Sequence, residues 1–167
     1  MQPLKSTITA LTLAAAALIS SQSYALPLTL VNQASSLVLD ADAFNAHRND
    51  CRVQLWQKFG TPNQKWEIDA VPGPGGYFKI RNTHSGLLLT AALGDVNRND
   101  CRIQLWQDWG WQNQHWKIEP VGMGLYKITN RMSGKALAAH LFNVNNNGCR
   151  TQLWDYIGFA NQQWRIE

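Results

Sequence analysis

Short stretches of the chain alternate apolar and polar residues with a period of two. In the middle third, the apolar pairs are Phe78 and Ile80, Leu87 and Leu89, Ile103 and Leu105, and Trp116 and Ile118. Glycine, asparagine, aspartate and proline residues separate these stretches. This pattern predicts short, half-buried β-strands and not helices. Four such strands fall in each unit of about fifty residues, so we predict twelve strands and an all-β fold.

Two motifs recur along the chain at the same offset from one another. The first contains Cys-Arg-x-Gln-Leu-Trp, and it occupies 51–56, 101–106 and 149–154. The second is Asn-Gln-x-Trp, and it occupies 63–66, 113–116 and 161–164. A fixed period of this kind indicates a repeat architecture. We therefore predict three repeats, at about 26–72, 76–120 and 124–167.

Three repeats of four strands fit a closed arrangement best. A solenoid needs capping units at its ends, and a propeller usually has at least about four blades. Closure around an axis removes exposed strand edges and brings equivalent apolar residues into one core. We therefore predict a β-trefoil with pseudo-threefold symmetry. Its core should contain five triplets: Leu30, Ile80, Ile128; Leu39, Leu89, Leu137; Leu55, Leu105, Leu153; Trp66, Trp116, Trp164; and Ile68, Ile118, Ile166.

The first 25 residues differ from the rest of the chain. Lys5 precedes an apolar run from Leu11 to Ile19, and small or polar residues follow as far as Ala25. This is the pattern of a secretory signal peptide, with cleavage expected after Ala25. The alternative is a membrane anchor, but the run is shorter than the roughly 20 apolar residues that cross a bilayer. We expect residues 1–25 to be a signal peptide, residues 26–167 to be secreted to the periplasm or the medium, and no insertion into a membrane.

The charges do not indicate a nucleic-acid partner. The chain has 15 basic and 11 acidic residues, a net charge of +4, and removal of Lys5 with the leader would make it +3. The basic residues are scattered singly, whereas a nucleic-acid interface clusters them on one face or stripe.

The cysteine count is odd. Cys51, Cys101 and Cys149 occupy the same position in each repeat, and an odd number leaves at least one thiol free or bonded to another chain. Positions related by a threefold axis should also lie too far apart for the close Cα approach of a disulfide. We expect three free, semi-buried cysteines.

The threefold pairing of Gln-Leu-Trp with Asn-Gln-x-Trp resembles the ricin B-type lectin domain. The resemblance extends over residues 26–167 and rests on motifs that occur three times. It implies a β-trefoil that binds galactose-type or related glycans, uses no cofactor and performs no catalysis.

A sugar site needs polar groups for the hydroxyls and an aromatic face for the apolar side of the ring. Repeat 1 offers Asp40, Gln54, Trp56, Asn63 and Gln64. The resemblance implies that Asp40 accepts hydrogen bonds from two adjacent hydroxyls, that Asn63 donates to one of them and that Trp56 stacks on the ring. Gln54 and Gln64 would support these residues.

Each of these residues also has a purely structural interpretation. Asp40 could satisfy nearby backbone donors, as aspartate often does. Trp56 could be an ordinary core residue, and Asn63 could simply hold the turn before the last strand of the repeat.

Repeats 2 and 3 lack the acid, since Thr90 and Ala138 stand at the positions equivalent to Asp40. A charge-assisted hydrogen bond is roughly twice as strong as a neutral one, so we expect weaker sites there. The candidate residues are Trp106, Asn113 and Gln114 in repeat 2, and Trp154, Asn161 and Gln162 in repeat 3. They could be vestigial, structural or adapted to another ligand.

Motifs of catalysis are missing from the sequence. It contains no Gly-x-Ser-x-Gly, no His-Glu-x-x-His and no phosphate loop, and the cysteine and histidine spacings do not predict a zinc site. Asp40 and Asp42 should point the same way, with no opposing acid for glycoside hydrolysis.

Two other classes of function remain open besides a freestanding lectin. One is a targeting or structural subunit of a multi-subunit bacterial toxin or other assembly, and the other is an accessory module of a polysaccharide-degrading enzyme. The loop aromatics Phe59, Trp109, Trp111, Tyr156 and Phe159 bear on this choice. If they are exposed they extend a sugar platform or a partner surface, and if they are buried they close the end of the barrel.

Overall fold

The computed structural model describes residues 26–167, so the predicted signal peptide lies outside the described residues. The described chain contains twelve β-strands and short 3-10 helices, and the all-β prediction is confirmed. The strands of repeat 1 are β1 (Leu30–Asn32), β2 (Val38–Ala41), β3 (Cys51–Trp56) and β4 (Trp66–Ala70). Those of repeat 2 are β5 (Phe78–Asn82), β6 (Leu88–Ala91), β7 (Cys101–Trp106) and β8 (Trp116–Gly122). Those of repeat 3 are β9 (Leu125–Asn130), β10 (Ala136–Ala139), β11 (Cys149–Trp154) and β12 (Trp164–Ile166).

The 3-10 helices follow the same repeat. Each Asn-Gln-x-Trp motif begins in one, at Pro62–Gln64, Gln112–Gln114 and Ala160–Gln162. Two more lie in the loops after β6 and β10, at Leu93–Asp95 and Leu141–Asn143. Within residues 26–167, no helix has the length and apolar character needed to cross a membrane.

The third strand of each repeat joins the three repeats into a ring. β3 pairs with β7, β7 with β11, and β11 with β3, all antiparallel. The register is equivalent at each contact, with Cys51 opposite Leu105, Cys101 opposite Leu153 and Cys149 opposite Leu55. The first strand, β1, pairs with the last, β12. This closed arrangement of three four-stranded units is the one expected of a β-trefoil.

The predicted core triplets behave alike, with one exception. Four of the five triplets are completely buried: Leu30, Ile80, Ile128; Leu39, Leu89, Leu137; Leu55, Leu105, Leu153; and Trp66, Trp116, Trp164. Ile68, Ile118 and Ile166 lie at the margin of the core: all three are only half-buried, and Ile118 and Ile166 pack against the buried cluster. The reason is that β4, β8 and β12 each begin in the core with a tryptophan and then run outward to the surface.

The three core tryptophans also anchor the second strand of their repeat. Each indole N–H donates to the backbone carbonyl of a core leucine, from Trp66 to Leu39 at 3.0 Å, from Trp116 to Leu89 at 2.9 Å and from Trp164 to Leu137 at 3.0 Å. A buried indole N–H requires such a partner. The tryptophan therefore fixes the end of the repeat against its middle.

Asparagines link each repeat to the next. The last residue of the first strand donates its side-chain N–H to a backbone carbonyl in the Asn-Gln-x-Trp motif of the preceding repeat. These bonds run from Asn32 to Asn161, from Asn82 to Asn63 and from Asn130 to Asn113, each at 3.0 Å. The first of them joins repeat 1 to repeat 3 and closes the circle.

The cysteines are free, as predicted, but they are fully buried and not semi-buried. Cys51 begins β3 on the same face as Val53 and Leu55, which belong to the core. Each thiol contacts a backbone carbonyl in the preceding loop, at Asp42, Ala92 or His140. Burial raises the pKa of the Cys51 and Cys101 thiols to about 11, and it also raises the pKa of Cys149.

We predict that Trp116→Phe lowers the free energy of unfolding by about 2–4 kcal/mol. The substitution leaves the buried carbonyl of Leu89 without a donor and opens a cavity in the core. The exposed Trp111 of the same repeat provides the control, and Trp111→Phe should change stability by less than about 0.5 kcal/mol. Urea unfolding measures both, and equal effects would contradict this account of the core.

We also predict that the native thiols are unreactive. A buried thiol with a raised pKa stays protonated near neutral pH, and only the thiolate attacks a disulfide reagent. An aromatic disulfide reagent at pH 8 should label essentially no cysteine in the native protein and all three after denaturation in guanidinium. Rapid labelling of the native protein would show that the cysteine positions are open to solvent.

Candidate functional site

The candidate acid of repeat 1 lies in a network of side-chain amides. Asp40 in β2 is opposite Gln54 in β3, and its side chain is buried. Its Oδ1 accepts a hydrogen bond from Gln54 Nε2 at 3.2 Å. Its Oδ2 accepts from Asn63 Nδ2 at 2.9 Å and from Gln64 Nε2 at 3.0 Å. The structure thus brings four of the five predicted residues into direct contact, and we call them the Asp40 network.

The Asp40 network leaves one acceptor position of the carboxylate without a protein donor. An ionised carboxylate offers roughly four acceptor positions, and three are filled here by side-chain amides. All three donors are side chains, so the alternative in which Asp40 serves backbone donors does not describe this carboxylate. The remaining acceptor position is on Oδ1, where the bond from Gln54 is the longest of the three. One hydroxyl can bind there directly, and a second can bind by replacing Gln54.

The electrostatics of Asp40 combine opposing effects. Burial raises the pKa of the Asp40 carboxyl, and the hydrogen bonds from Gln64, Gln54 and Asn63 lower it. The negative charge of Asp42 raises it further, and the net pKa lies above the ordinary value of 3.8. The folded protein therefore holds this carboxylate at a cost in stability that disappears as the pH falls through the raised pKa.

Asn63 and Gln64 owe their positions to the 3-10 helix at Pro62–Gln64. Asn63 Nδ2 also donates to the carbonyl of Ala41 at 2.9 Å. Gln64 Oε1 accepts from the N–H groups of Phe59 and Gly60, at 2.8 and 3.1 Å, and its Nε2 donates to the carbonyl of Gln57 at 2.9 Å. These bonds hold the loop after β3 against the acid, so both residues have a structural role as well as a place in the candidate site.

Trp56 ends β3 beside the Asp40 network. Trp56 pairs with Val38, and Gln54 pairs with Asp40. Residues two apart on a strand share one face of the sheet, so Trp56 lies on the same face as Gln54. It is half-buried, whereas the core tryptophan Trp66 is completely buried. The indole thus has a free surface that an ordinary core residue would not have.

A loop from another repeat borders each candidate site. The N–H of Gln57, next to Trp56, donates to Asn147 Oδ1 of repeat 3 at 2.7 Å. Asn49 of repeat 1 accepts in the same way from the N–H of Gln107 at 2.8 Å, and Asn99 of repeat 2 from that of Asp155 at 2.9 Å. Each repeat therefore completes the edge of its neighbour's site.

Repeat 2 replaces the carboxylate with a hydroxyl. Thr90 Oγ1 accepts from Gln114 Nε2 at 3.3 Å and donates to the carbonyl of Leu88 at 2.8 Å. Next to it is a cavity of about 150 Å³. Within residues 26–167, five buried side-chain polar atoms have no partner, and three of them belong to residues of this cavity: Gln104 Oε1, Trp106 Nε1 and Asn113 Oδ1.

Repeat 3 has only a methyl group at the acid position, Ala138. Asn161 Nδ2 donates to the carbonyl of Ala139 at 2.7 Å, as its counterparts do in the other repeats, and its buried Oδ1 has no partner. Gln162 again fixes the loop, since its Nε2 donates to the carbonyl of Asp155 and its Oε1 accepts from the N–H of Ile157. A cavity of about 380 Å³ lies beside these residues.

The loop aromatics are exposed, with one exception. Phe59, Trp109, Trp111 and Phe159 are about half-exposed or more, while Tyr156 is half-buried beneath Lys127. Sequence reasoning missed other exposed apolar residues in the loops: Leu93, Leu141, Phe142 and Ile157, which line the cavities of repeats 2 and 3, and Phe44 in the loop after β2. Phe44 and Phe142 occupy equivalent positions, each directly before an asparagine in the loop after the second strand of its repeat, and this apolar residue in a polar loop is a signal present in the sequence.

Comparison with known protein families agrees with the repeats and the fold. Residues 20–106, 62–154 and 112–167 each match the family described as ricin-type beta-trefoil lectin domain-like. The chain belongs to this ricin-type lectin family. No curated protein matches the chain.

Solved structures of several other proteins share the fold. A designed threefold symmetric protein, ThreeFoil, is 28% identical with a TM-score of 0.78, covering 84% of this chain and 96% of that chain. An exo-β-1,3-galactanase from Clostridium thermocellum is 30% identical with a TM-score of 0.77, covering 89% of this chain but only 30% of that one. A ricin B-like lectin from Macrolepiota procera, solved in complex with lactose, is 17% identical with a TM-score of 0.71, covering 89% of this chain and 99% of that chain.

Proposed function

We propose that this ricin-type lectin is a secreted, non-catalytic protein that binds galactose-type or related glycans, mainly through repeat 1. The observation that carries the proposal is the Asp40 carboxylate, which is held by three amides and retains an acceptor position beside the half-buried indole of Trp56. Its chemistry matches a sugar ring, which presents hydroxyl donors on its edge and apolar C–H groups on its face.

The amides have a defined part in this proposal. A ligand hydroxyl that donates to Asp40 Oδ1 can also accept from the Nε2 of Gln54, which is opposite Asp40 in the hairpin. Asn63 and Gln64 hold Oδ2 and keep the carboxylate in place. Because the site is already ordered, little binding free energy is lost in ordering it when the sugar binds.

Two further observations support a secreted glycan-binding protein. The lectin from Macrolepiota procera shares the fold and was solved with lactose. The leader pattern in residues 1–25 is typical of export.

The exposed apolar residues of the loops favour a second candidate, a targeting or structural subunit of a toxin or other protein assembly. Phe44 and Phe142 are almost completely exposed, at 98% and 96%, and exposed apolar groups are common where a partner binds. A mosquitocidal holotoxin shares the fold, with 24% identity and a TM-score of 0.74, although this chain covers only 18% of that one.

We predict that Asp40→Asn weakens galactose binding about tenfold or more. The substitution removes the charge-assisted hydrogen bonds to ligand hydroxyls, and such bonds are worth about 1.5–3 kcal/mol. The Asp40 network can still form, because the new amide can offer its oxygen to Asn63 and Gln64 while Gln54 reverses its own amide. Isothermal titration calorimetry with galactose and with lactose measures the change in affinity.

The control for this experiment is Asp42→Asn. Asp42 is two residues away and bears the same charge, and its carboxylate accepts from the N–H of Phe44 and the side chain of Asn45. Its substitution should leave binding unchanged within about twofold. Equal losses in the two variants would indicate a general electrostatic effect, and unaltered binding in Asp40→Asn would overturn the assignment to repeat 1. No binding of any glycan by the wild type, together with co-purification of a protein partner, would favour the assembly function.

The raised pKa of Asp40 predicts a pH dependence of binding. As the pH falls through this pKa, the carboxylate becomes a neutral acid and loses its charge-assisted bonds, so affinity should fall with a midpoint above 3.8. The same titration of Asp40→Asn should show no such step. A midpoint at or below 3.8 would mean that the acid titrates as an ordinary exposed carboxyl.

A further inference from the structure

The third strand of each repeat has an arginine on its outer face, at the equivalent positions Arg52, Arg102 and Arg150. Two of these arginines form an ion pair with an aspartate of the preceding repeat. Arg102 Nη2 lies 2.6 Å from Asp50 Oδ1, and Arg150 pairs with Asp100 in the same way. Each of these arginines is thus neutralised by the repeat before it.

The third pair of this set is incomplete. The residue equivalent to Asp50 and Asp100 in repeat 3 is Gly148, and Arg52 donates to its backbone carbonyl. A guanidinium has five N–H donors, so most donors of Arg52 remain available. Among the described residues, no carboxylate forms an ion pair with Arg52. Its charge is therefore open to an acidic group from outside the chain.

Asp42 is the acid closest to Arg52 in the hairpin, and it is already engaged. The N–H of Asp42 donates to the carbonyl of Arg52 at 3.0 Å. The carboxylate of Asp42 accepts from the N–H of Phe44 and from the side chain of Asn45, at 3.2 and 2.8 Å. It therefore does not replace the aspartate that is absent at position 148.

The space next to Gly148 borders the candidate site of repeat 1. Arg52, Gln54 and Trp56 alternate along β3 and share one face of the sheet. A side-chain carbon at position 148 would lie 3.8 Å from the indole of Trp56 and 3.9 Å from Oε1 of Gln54. The absence of an aspartate thus leaves room between the unpaired arginine and the indole and amide of the site.

Repeat 3 shows how far an arginine at this position reaches. Arg150 Nη2 donates to Gln152 Oε1 at 3.2 Å as well as to Asp100. Gln152 is the counterpart of Gln54 and lines the cavity of its repeat. An arginine two residues before this glutamine can therefore reach the candidate site of its own repeat.

We propose that Arg52 binds an acidic substituent, a carboxylate or a sulfate ester, of a glycan held at repeat 1. This inference rests on the proposed lectin function and narrows its ligand class to acidic glycans. A guanidinium can bind two oxygens of such a group through two parallel N–H···O bonds. The ligand then supplies to Arg52 the negative charge that Asp50 and Asp100 supply to the other two arginines.

The spacing along β3 keeps the acidic substituent apart from the Asp40 carboxylate. Asp40 is opposite Gln54, and the backbone positions of Arg52 and Gln54 are about 7 Å apart along an extended strand. This distance is comparable to the width of a sugar ring. A ring that binds Asp40 through its hydroxyls can therefore present an acidic group to Arg52 from its far edge or from the next sugar residue.

The test compares ligands that differ in one acidic group. Galactose is compared with galacturonic acid and with galactose sulfated at its primary hydroxyl, and lactose is compared with sialyllactose. By isothermal titration calorimetry at low ionic strength, the wild type should bind at least one acidic ligand about threefold or more tightly than its neutral partner. The preference should shrink as salt is added, because exposed charges are screened. The ligand that is preferred identifies the acidic group and whether it is on the bound ring or on the attached residue.

Gly148→Asp completes the third pair and should remove the preference for acidic ligands. The backbone at Gly148 has a φ of 81°, against 75° and 78° at Asp50 and Asp100, so an aspartate fits this conformation. Gly148→Asn has nearly the same size without the charge and is the control. It should keep the preference within about twofold of that of the wild type.

Matched arginine substitutions provide a second comparison that does not depend on residue 148. Arg52→Gln should abolish the preference for acidic ligands. Arg102→Gln removes the same charge from the equivalent position of repeat 2, where Asp50 already pairs with it. This variant should keep the preference within about twofold.

The outcomes separate this inference from the proposed function. Equal affinities of the wild type for acidic and neutral ligands overturn the role of Arg52, and so does a preference that survives Gly148→Asp or Arg52→Gln. Equal losses in Gly148→Asp and Gly148→Asn, or acidic-ligand binding that is unchanged in Asp40→Asn, overturn it as well. Neutral sugars that bind the wild type and not Asp40→Asn support the repeat 1 site whichever result Arg52 gives. Failure of the wild type to bind any of these ligands overturns both.

Discussion

The protein depends on hydrogen bonds that pass from each repeat to the next around a closed circle. The side chains of Asn32, Asn82 and Asn130 each bind a backbone carbonyl in the preceding repeat. That carbonyl belongs to the very asparagine whose side chain faces the candidate site. The same contacts therefore close the fold and fix the 3-10 helix that presents the site's amides. Pairing of β3, β7 and β11 completes the circle from the inside.

The amides are present in all three repeats, whereas the acid is present in one. In repeat 1, Gln54, Asn63 and Gln64 all donate to Asp40. In repeat 2 the threonine hydroxyl at this position accepts only from Gln114, and in repeat 3 the position has a methyl group. The acid thus provides acceptors for all three amides of its repeat, and it does so although burial disfavours its charge. Carboxyls with perturbed pKa values are found most often at functional sites.

Much of this could be predicted from the sequence, because the period of two and the period of about fifty residues act together. The first places alternate residues of a strand on opposite faces, and the second repeats the assignment three times, so the four inner triplets followed directly. The same alternation places Cys51 with Val53 and Leu55 on the core face and could have revealed its full burial. The outer isoleucines were placed too deep, because the sequence does not show where a strand leaves the core.

The candidate site was harder to predict than the fold. The residues of the Asp40 network could be named from their motifs, but which amide contacts which carboxylate oxygen depends on a 3-10 helix that the sequence pattern did not reveal. The rims were missed for a different reason. Phe142 and Ile157 lie in irregular loops, where period-two patterning says nothing about exposure, and only the folded loops show that they face one cavity.

The asparagines that cross between repeats have a consequence for valency. Asn147 supports the edge of the first site, Asn49 that of the second and Asn99 that of the third. A shortened chain would therefore lose a supporting neighbour together with each unit removed. In this architecture the number of working sites can change only by substitution within an intact ring. The exchange among Asp40, Thr90 and Ala138 illustrates this, and it allows the three sites to diverge in ligand while they share one scaffold.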